Sequence, residues 1–222
     1  MAQTNDPHSL DYALPLVLDA SSPMIQVGIP DREGWRALKK AEEQAMESLF
    51  RSCAELFEEL DTGMRKVDAV FYCEGPGSTL GLRIAAALTR TIQWDGSDRQ
   101  VALFKYNAMD LATRMTDQTA PTLQAPYRMG SRLVRFEEGQ AIGRKEVHKA
   151  EDALLEFPQS HHLPDPRNHL QLPEDAWMIE YDLGLVHGLA DLLPISSPCP
   201  AAEPFAPKSS TFRKWQPKSP TA

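Results

Sequence analysis

The sequence predicts an α/β protein in which helices pack against a mixed β-sheet. Over residues 14–116, strand-like and helix-like segments follow one another in the order β-β-β-α-β-α-β-α. The later part of this order, in which strands alternate with helices, is typical of parallel crossovers within one sheet. The clearest unit is a strand, a glycine-rich corner and a helix at residues 67–94, and the other elements are interpreted in relation to it.

The first three strands are predicted from short apolar runs separated by turn residues. Residues 1–13 are polar and predict a disordered leader. Leu14–Leu18 predicts a strand that ends at Asp19-Ala20-Ser21-Ser22, and Met24–Ile29 predicts its hairpin partner. After a turn, Trp35–Lys40 predicts a third strand.

A long amphipathic helix is predicted from Glu43 to Leu60, ended by Gly63. Its apolar residues recur every three or four positions: Met46, Leu49, Phe50, Cys53, Leu56, Phe57 and Leu60. Most of this stripe is expected to pack against the chain's own sheet. Met46, Phe50, Cys53 and Phe57 nevertheless make a wide apolar face, part of which could be left for a partner.

The central unit reads as strand, turn and helix. Val67–Tyr72 is rich in β-branched and aromatic residues, Gly75-Pro76-Gly77 predicts a turn, and Ser78 is placed to cap the helix that follows. The apolar face predicted for this helix consists of Leu80, Ile84, Ala87, Leu88 and Ile92. A flank of small residues, including Gly81 and Ala85, predicts a surface that another backbone can approach closely.

A glycine-rich turn before a helix can also hold phosphate, because free N–H groups and the helix dipole converge there. The spacing at Gly75–Ser78 matches neither a P-loop nor a dinucleotide-binding fingerprint, and no lysine follows. A structural corner is therefore favoured over a phosphate site.

Further elements are predicted beyond Trp94. Val101–Tyr106 predicts a strand, Ala108–Met115 a short helix, and residues 117–120 a polar break. The later predicted strands and helices are Thr122–Gln124, Ser131–Phe136 and Gln140–Val147, then Ala150–Phe157 and Leu183–Leu192. Prolines crowd the sequence after Pro158, and the end of the chain is predicted to have little regular structure.

Composition limits the classes of function. The formal net charge is −8, from 31 acidic and 23 basic residues, so the chain as a whole has no basic field that would hold nucleic acid unaided. Three cysteines lie far apart without paired spacing, which is typical of reduced thiols in a cytoplasmic protein. No signal peptide and no apolar run of membrane-spanning length is present in the sequence, so a soluble cytoplasmic chain is expected.

Motifs for catalysis are scarce. None of the six histidines forms an H-E-x-x-H pattern, and no C-x-x-C occurs, so no metal site is predicted. Ser78 lacks the G-x-S-x-G context of a hydrolase nucleophile. Asp19, which follows the first strand, is the best candidate for a vestigial nucleotide or Mg²⁺ contact. It could equally be a turn carboxylate that accepts backbone N–H groups.

The residues at the central corner resemble a known family. Residues 75–84 read GPGSTLGLRI, which is similar to the GPGSFTGLRIG hallmark of the TsaB (YeaZ) family. The family's D-T-S turn after its first strand is matched by Asp19-Ala20-Ser21-Ser22. Its later strand pair, roughly D-A-R-x-G-x-V-Y, is echoed at residues 125–134 with the aspartate absent. The similarity is good over residues 14–116 and weak beyond.

This resemblance implies an actin-like (ASKHA, ribonuclease H-like) fold of two lobes, the first at residues 14–116 and a smaller, degenerate second lobe with a proline-rich tail at residues 117–222. It also implies a non-catalytic subunit that pairs with a TsaD-type enzyme and, with a TsaE-type ATPase, supports threonylcarbamoylation of the adenosine next to the anticodon of tRNA. No cofactor is then required by this chain, ATP and Mg²⁺ act at the level of the complex, and tRNA is contacted indirectly. The pairing is implied for residues of the first lobe's two helices: Met46, Leu49, Phe50, Cys53, Phe57, Gly81, Leu82, Arg83 and Ala85.

Two other functions remain open. An active ASKHA phosphotransferase or peptidase-like enzyme would need an intact second phosphate loop or an H-x-x-x-H metal pair, and the sequence has neither. A homodimeric scaffold that uses the same helices cannot be distinguished from the heterodimer by sequence.

Overall fold

A computed structural model describes residues 12–42, 45–95, 100–165 and 172–204, and the side chains of residues 45 and 46 are not part of that description. The first sheet has six strands in the order β11-β5-β4-β1-β2-β3. Its strands are β1 (Pro15–Asp19), β2 (Ile25–Pro30), β3 (Trp35–Ala41), β4 (Ala69–Gly75), β5 (Ala102–Asn107) and β11 (Ser196–Pro198). β1, β4 and β5 run parallel, while β2, β3 and β11 join antiparallel to their neighbours.

Alternation along β1 explains why both faces of this sheet are covered. Leu16 and Leu18 pack on one side with the helices α1 (Ala45–Glu59) and α2 (Thr79–Asp95). Val17 points to the other side, where the helices α3 (Ala108–Ala112) and α5 (Gly188–Ile195) lie. A strand that is buried on both faces is continuously apolar, as residues 15–18 of β1 are.

The second sheet has five strands in the order β10-β9-β6-β7-β8. Its strands are β6 (Thr122–Arg128), β7 (Ser131–Phe136), β8 (Lys145–Lys149), β9 (His161–His162) and β10 (Trp177–Met178). The helix α4 (Ala150–Glu156) follows β8. Leu123 and Leu133 of this sheet belong to the same buried cluster as Phe71 and Phe104 of the first sheet. The two sheets therefore share one apolar core, to which buried residues of α3 and α5 also belong.

The structure changes several predicted boundaries. Residues 140–144 are irregular rather than a strand, and the carbonyl groups of Gln140 and Ala141 accept hydrogen bonds from Arg135. The predicted helix at 183–192 is a 3₁₀ turn at Leu183–Leu185 followed by α5. Residues 43 and 44, at the predicted start of α1, lie outside the described residues.

The ends of the chain also differ from the predicted domain boundaries. Residues 1–11 of the expected leader and residues 205–222 of the tail lie outside the described residues. Tyr12 and Ala13 belong to the fold: the Tyr12 ring packs edge-on against Phe71 and Phe104, and the Ala13 N–H donates to Asp68. Strands β6 to β10 of the second sheet all follow residue 117, whereas β11 returns to the first sheet beside β5.

Candidate functional site

The glycine corner between β4 and α2 is held by direct backbone contacts to the β1–β2 connection. Gly77 has φ +154°, and a Cβ atom there would lie 2.1 Å from the Ser21 carbonyl oxygen. The Ser78 N–H donates to that same carbonyl at 2.7 Å, and Ser78 Oγ accepts from the Gly81 N–H at 3.2 Å. Ser78 is thus the helix cap that the sequence predicts. Two amide groups that could have held a phosphate are already used within the chain.

The small flank of α2 packs inside the chain. A Cβ atom on Gly81 would lie 2.0 Å from the Ala20 carbonyl oxygen, and Ala85 is fully buried. The predicted close approach is confirmed at Gly81, where the backbone that approaches is the end of β1 rather than another helix. This contact fixes the N-terminus of α2 over the carboxyl end of the parallel strands.

Asp19 is buried and fully engaged. Its Oδ1 accepts from the N–H and the hydroxyl of Ser21 at 2.9 and 2.6 Å, and its Oδ2 accepts from the hydroxyls of Tyr106 and Tyr181 at 2.9 and 2.7 Å. Burial and the neighbouring Asp19 carboxylate raise the pKa of both tyrosines well above the ordinary value, so they remain donors. The geometry is that of a structural turn carboxylate, which ties β1 to β5 and to Tyr181.

A cleft of about 910 Å³ separates the glycine corner from the β6–β7 hairpin. One wall is formed by Ser21, Ser22 and residues 76–79, and the other by residues 125–132. The acidic side chains on its lining are Glu42 and Asp165, and the basic ones are Arg128 and Arg132. Among the described residues, no group of three or more histidine, cysteine or acidic side chains could hold a metal ion.

Arg132, on the lining of this cleft, forms a buried pair with His162. Arg132 Nη2 lies 3.2 Å from His162 Nδ1. Desolvation lowers the pKa of Arg132, and desolvation together with the adjacent guanidinium lowers the pKa of His162 to about 4. His162 is therefore neutral near pH 7, and its Nδ1 accepts the hydrogen bond from Arg132.

The residues expected to form a partner interface on α1 fall into two groups. Leu49 and Cys53 are buried against the first sheet, and burial raises the pKa of Cys53 to about 12. Phe50 is half exposed, and Phe57 is half-buried at the edge of the core. The side chain of Met46 lies outside the described residues. Among the described side chains of this set, Phe50 and Phe57 are the ones that a partner can reach.

On α2, the expected interface residues divide in the same way. Gly81, Leu82 and Ala85 are buried, whereas Arg83 is exposed. The core face of this helix is rotated from the predicted one: Leu80, expected in the core, is 63% exposed, and Leu82 takes its place.

An exposed stripe on α2 was not recognised from the sequence. Leu80, Ala87, Thr91 and Trp94 are exposed and recur at helical spacing, with half-buried Ile84 between the first two. Trp94 is 85% exposed. The spacing of Leu80, Ile84 and Trp94 was a usable signal, but a second apolar face on one helix cannot be told from the core face by periodicity alone.

Comparisons with known proteins agree with this architecture. The family model TsaD, tRNA N6-adenosine threonylcarbamoyltransferase, matches residues 39–131. A Pseudomonas aeruginosa protein described as similar to the peptidase YeaZ is 17% identical with a TM-score of 0.56, over 82% of this chain and 89% of that one. YeaZ from Pseudomonas aeruginosa is 18% identical with the same TM-score and the same coverage. No curated protein sequence matches the chain.

The two-sheet architecture is the fold that this chain shares with the two Pseudomonas aeruginosa structures. The match to the TsaD family model covers residues 39–131, which is less than half of the chain. In the described part of the chain, no helix has the length and apolarity needed to cross a membrane.

Proposed function

We propose that this chain is a non-catalytic subunit that pairs with a TsaD-type enzyme and supports threonylcarbamoylation of tRNA in the cytoplasm. The observation that carries the proposal is the exposed apolar stripe on α2, with Phe50 exposed on the neighbouring helix, inside the region that matches the TsaD family model. A TsaE-type ATPase would join the same complex and use ATP and Mg²⁺ there.

The exposed stripe on α2 and Phe50 on α1 include the residue types that dominate binding energy at protein interfaces. Trp94 and Phe50 are large aromatic side chains, and tryptophan is among the residues that most often dominate binding energy when buried by a partner. Leu80 and Ile84 extend the stripe toward the N-terminus of α2, and Arg83 lies at its border. Helices with an exposed apolar face can pack against a similar pair in a four-helix arrangement.

The non-catalytic part of the proposal rests on the engaged state of the polar groups near the corner. All four short contacts of the Asp19 carboxylate are made within the chain, and the Ser78 and Gly81 amides are likewise occupied. A phosphotransferase would require carboxylate and amide groups that are free to meet a nucleotide and its metal ion. We therefore expect ATP turnover by the chain with Mg²⁺ to equal that of its Asp19→Ala variant.

The test of pairing is a binding titration with the TsaD homologue from the same organism, by calorimetry. Phe50→Asp and Trp94→Asp should each weaken association by at least about 2 kcal/mol, or about thirtyfold. Leu155→Asp is the matched control, because Leu155 is an exposed apolar residue on α4 of the second lobe. It should leave binding unchanged.

Depletion of the chain in cells should lower the threonylcarbamoyladenosine content of tRNA, measured by mass spectrometry. Absence of binding together with normal modification in depleted cells would remove the proposal. Self-association of the purified chain, lost in Phe50→Asp and Trp94→Asp, would then favour the homodimeric scaffold.

A further inference from the structure

Two arginines of β7 are buried, and they differ in their partners. Arg135 forms ion pairs with Asp110 at 2.8 Å and with Glu137 at 2.7 Å. Arg132 is 2% exposed and forms no ion pair within the described part of the chain. Arginine is almost never fully buried unless it is paired. The burial of Arg135 is therefore explained by its carboxylate partners, whereas the burial of Arg132 calls for another explanation.

The contacts of Arg132 leave most of its hydrogen-bonding capacity unused. Nη2 donates to His162 Nδ1, and Nε is buried without a hydrogen-bond partner among the described residues. Because a guanidinium has several N–H donors and stays protonated, a neutral histidine satisfies neither its donors nor its charge. Asp165 opposes the effect of desolvation on the pKa of Arg132, so this carboxylate acts on the guanidinium from nearby without forming an ion pair with it.

The unsatisfied arginine lies on the wall of the cleft between the glycine corner and the β6–β7 hairpin. The volume of this cleft, about 910 Å³, is in the range of sites that hold small molecules. A large share of its lining is apolar: Ile25, Pro76, Pro126, Tyr127, Leu163 and Pro164. A buried cation among apolar walls attracts an anion strongly, because little water screens the interaction.

The charges around the cleft favour a ligand with a single negative charge. The described lining holds two acidic side chains, Glu42 and Asp165, against two basic ones, Arg128 and Arg132. A polyphosphate would bring several negative charges to one buried cation and two nearby acids. The amides of Ser78 and Gly81, which could have held a phosphate at the opposite wall, are already used within the chain.

We propose that the cleft binds a small organic carboxylate with an apolar body, and that Arg132 is the residue that anchors it. The carboxylate accepts hydrogen bonds from the part of the guanidinium that His162 does not hold, and charge-assisted bonds of this kind are stronger than neutral ones. The apolar body packs against Tyr127 and Leu163. This site is separate from the exposed stripe on α2, and its existence does not depend on the proposed function.

The experiment uses the purified full-length chain and two probes that share one ring. Fluorine NMR follows the binding of para-fluorobenzoate, which is an anion, and of para-fluorobenzamide, which is neutral. The benzoate should bind at least about tenfold more tightly, because a hydrogen bond to a charged group contributes more than one between neutral groups. Equal affinities for the two probes, or no binding of the benzoate, would overturn the proposal.

Variants identify the anchor. Arg132→Met should lower the affinity for para-fluorobenzoate about tenfold, to that of the benzamide. Arg132→Lys keeps the charge but loses the planar fork, and should lower the affinity by about threefold. Arg128→Met is the matched control, because Arg128 is an exposed cation on the same lining, where water and salt screen its charge. It should leave the affinity within about twofold of the original.

An equal loss in Arg128→Met and Arg132→Met would show that the general charge of the cleft attracts the probe, which would contradict an anchor at Arg132. Arg132→Met removes a buried charge that has no carboxylate partner, so it is expected to fold, and circular dichroism checks this. Should it not fold, Arg132→Lys decides, and an unchanged affinity in that variant would overturn the proposal.

The class of ligand is tested by displacement of para-fluorobenzoate. Phenyl phosphate carries a similar ring with up to two negative charges and should bind more weakly than the benzoate, and ATP should not displace it. Tighter binding of either compound would assign the cleft to phosphate compounds and overturn the carboxylate assignment. Because TsaD is absent from these measurements, their failure would leave the calorimetric test of pairing untouched, and a failure of pairing would leave the carboxylate site intact.

Discussion

Ala85, on the inner face of α2, shows how little room the packed core leaves around a single methyl group. The residue is fully buried between α2 and the first sheet. Ala85→Leu should overpack this site and lower the free energy of unfolding by about 1–3 kcal/mol. Urea denaturation would measure the free energy of unfolding of this variant. Ala87→Leu is the control, because Ala87 is exposed two positions further along the same helix. Equal stability of both variants would show that the core adapts at Ala85.

His162 gives the stability of the protein a defined dependence on pH. Its pKa is lowered from 6.5 to about 4 in the folded chain, so the unfolded chain binds more protons between these values. The contribution of His162 is therefore present above pH 6.5 and is lost as the pH falls toward 4. Burial also lowers the pKa of His161, which acts in the same direction.

The prediction for His162 compares the pH dependence of stability in the original chain with that in His162→Gln. Denaturation at pH 7.5 and at pH 5.5 should show a larger loss of stability in the original chain than in His162→Gln, which has no imidazole to protonate. The comparison is needed because carboxylates also titrate at the acidic end of this range. The same loss in both proteins would mean that His162 is not the titrating group.

At the scale of elements, Gly81 at the start of α2 has two opposing effects on the stability of the folded chain. Gly81→Ala should favour the helix by up to about 1 kcal/mol through propensity. The added Cβ would lie 2.0 Å from the Ala20 carbonyl oxygen, however, and backbone atoms at that distance must move apart. The clash should win, so we expect a net loss of stability.

Gly34→Ala is the matched control for this prediction, because a Cβ atom there would meet nothing within 4 Å. Thermal unfolding followed by circular dichroism measures both variants. A higher melting temperature for Gly81→Ala would show that the α2 N-terminus can shift away from β1 at little cost, which would contradict the role of this contact in fixing the corner.

How far the sequence predicts each element depends on how local its signal is. The β1–β3 strands, α1 and the Ser78 cap are encoded by alternation, periodicity and turn residues within each segment, and the structure has them close to the predicted positions. The strands β9, β10 and β11 have two or three residues each and exist only because distant strands offer them backbone partners. No pattern in a segment that short distinguishes it from a loop.

The sequence also predicts the exposed apolar residues of α2 only in part, because their signal is local. Helical spacing identifies apolar residues on α2 but does not say which of two apolar faces meets the sheet. The choice is made by Gly81, whose contact with Ala20 turns Leu82 inward and leaves Leu80 in solvent. Which residues a partner can reach is thus set by a tertiary contact that no local pattern contains.

At the scale of the whole molecule, the two sheets are joined by a buried charge network as well as by the shared core. Asp110 on α3 accepts from Arg135 Nε at 2.8 Å and from the Gly143 N–H at 3.0 Å through Oδ1, and from Lys145 Nζ at 2.5 Å through Oδ2. Arg135 also donates to Glu137 at 2.7 Å. Asp110 follows β5 of the first sheet, whereas Arg135 and Lys145 belong to β7 and β8 of the second.

Asp110→Asn should therefore weaken the connection between the two sheets. The substitution keeps the shape of the side chain but removes its negative charge. Arg135 and Lys145 are then left with Glu137 as the remaining carboxylate in the network. Breaking a buried ion pair in this way costs about 3–5 kcal/mol. Hydrogen exchange followed by mass spectrometry should show the loss first in β7 and β8, with β1 and β4 protected longer. Arg144→Gln is the control, since Arg144 pairs with Glu138 and Glu146 at the surface and such pairs contribute at most about 1 kcal/mol. If exchange rose equally in both sheets of Asp110→Asn, the two sheets would unfold as one unit, and the network would add to global stability without acting as a joint between them.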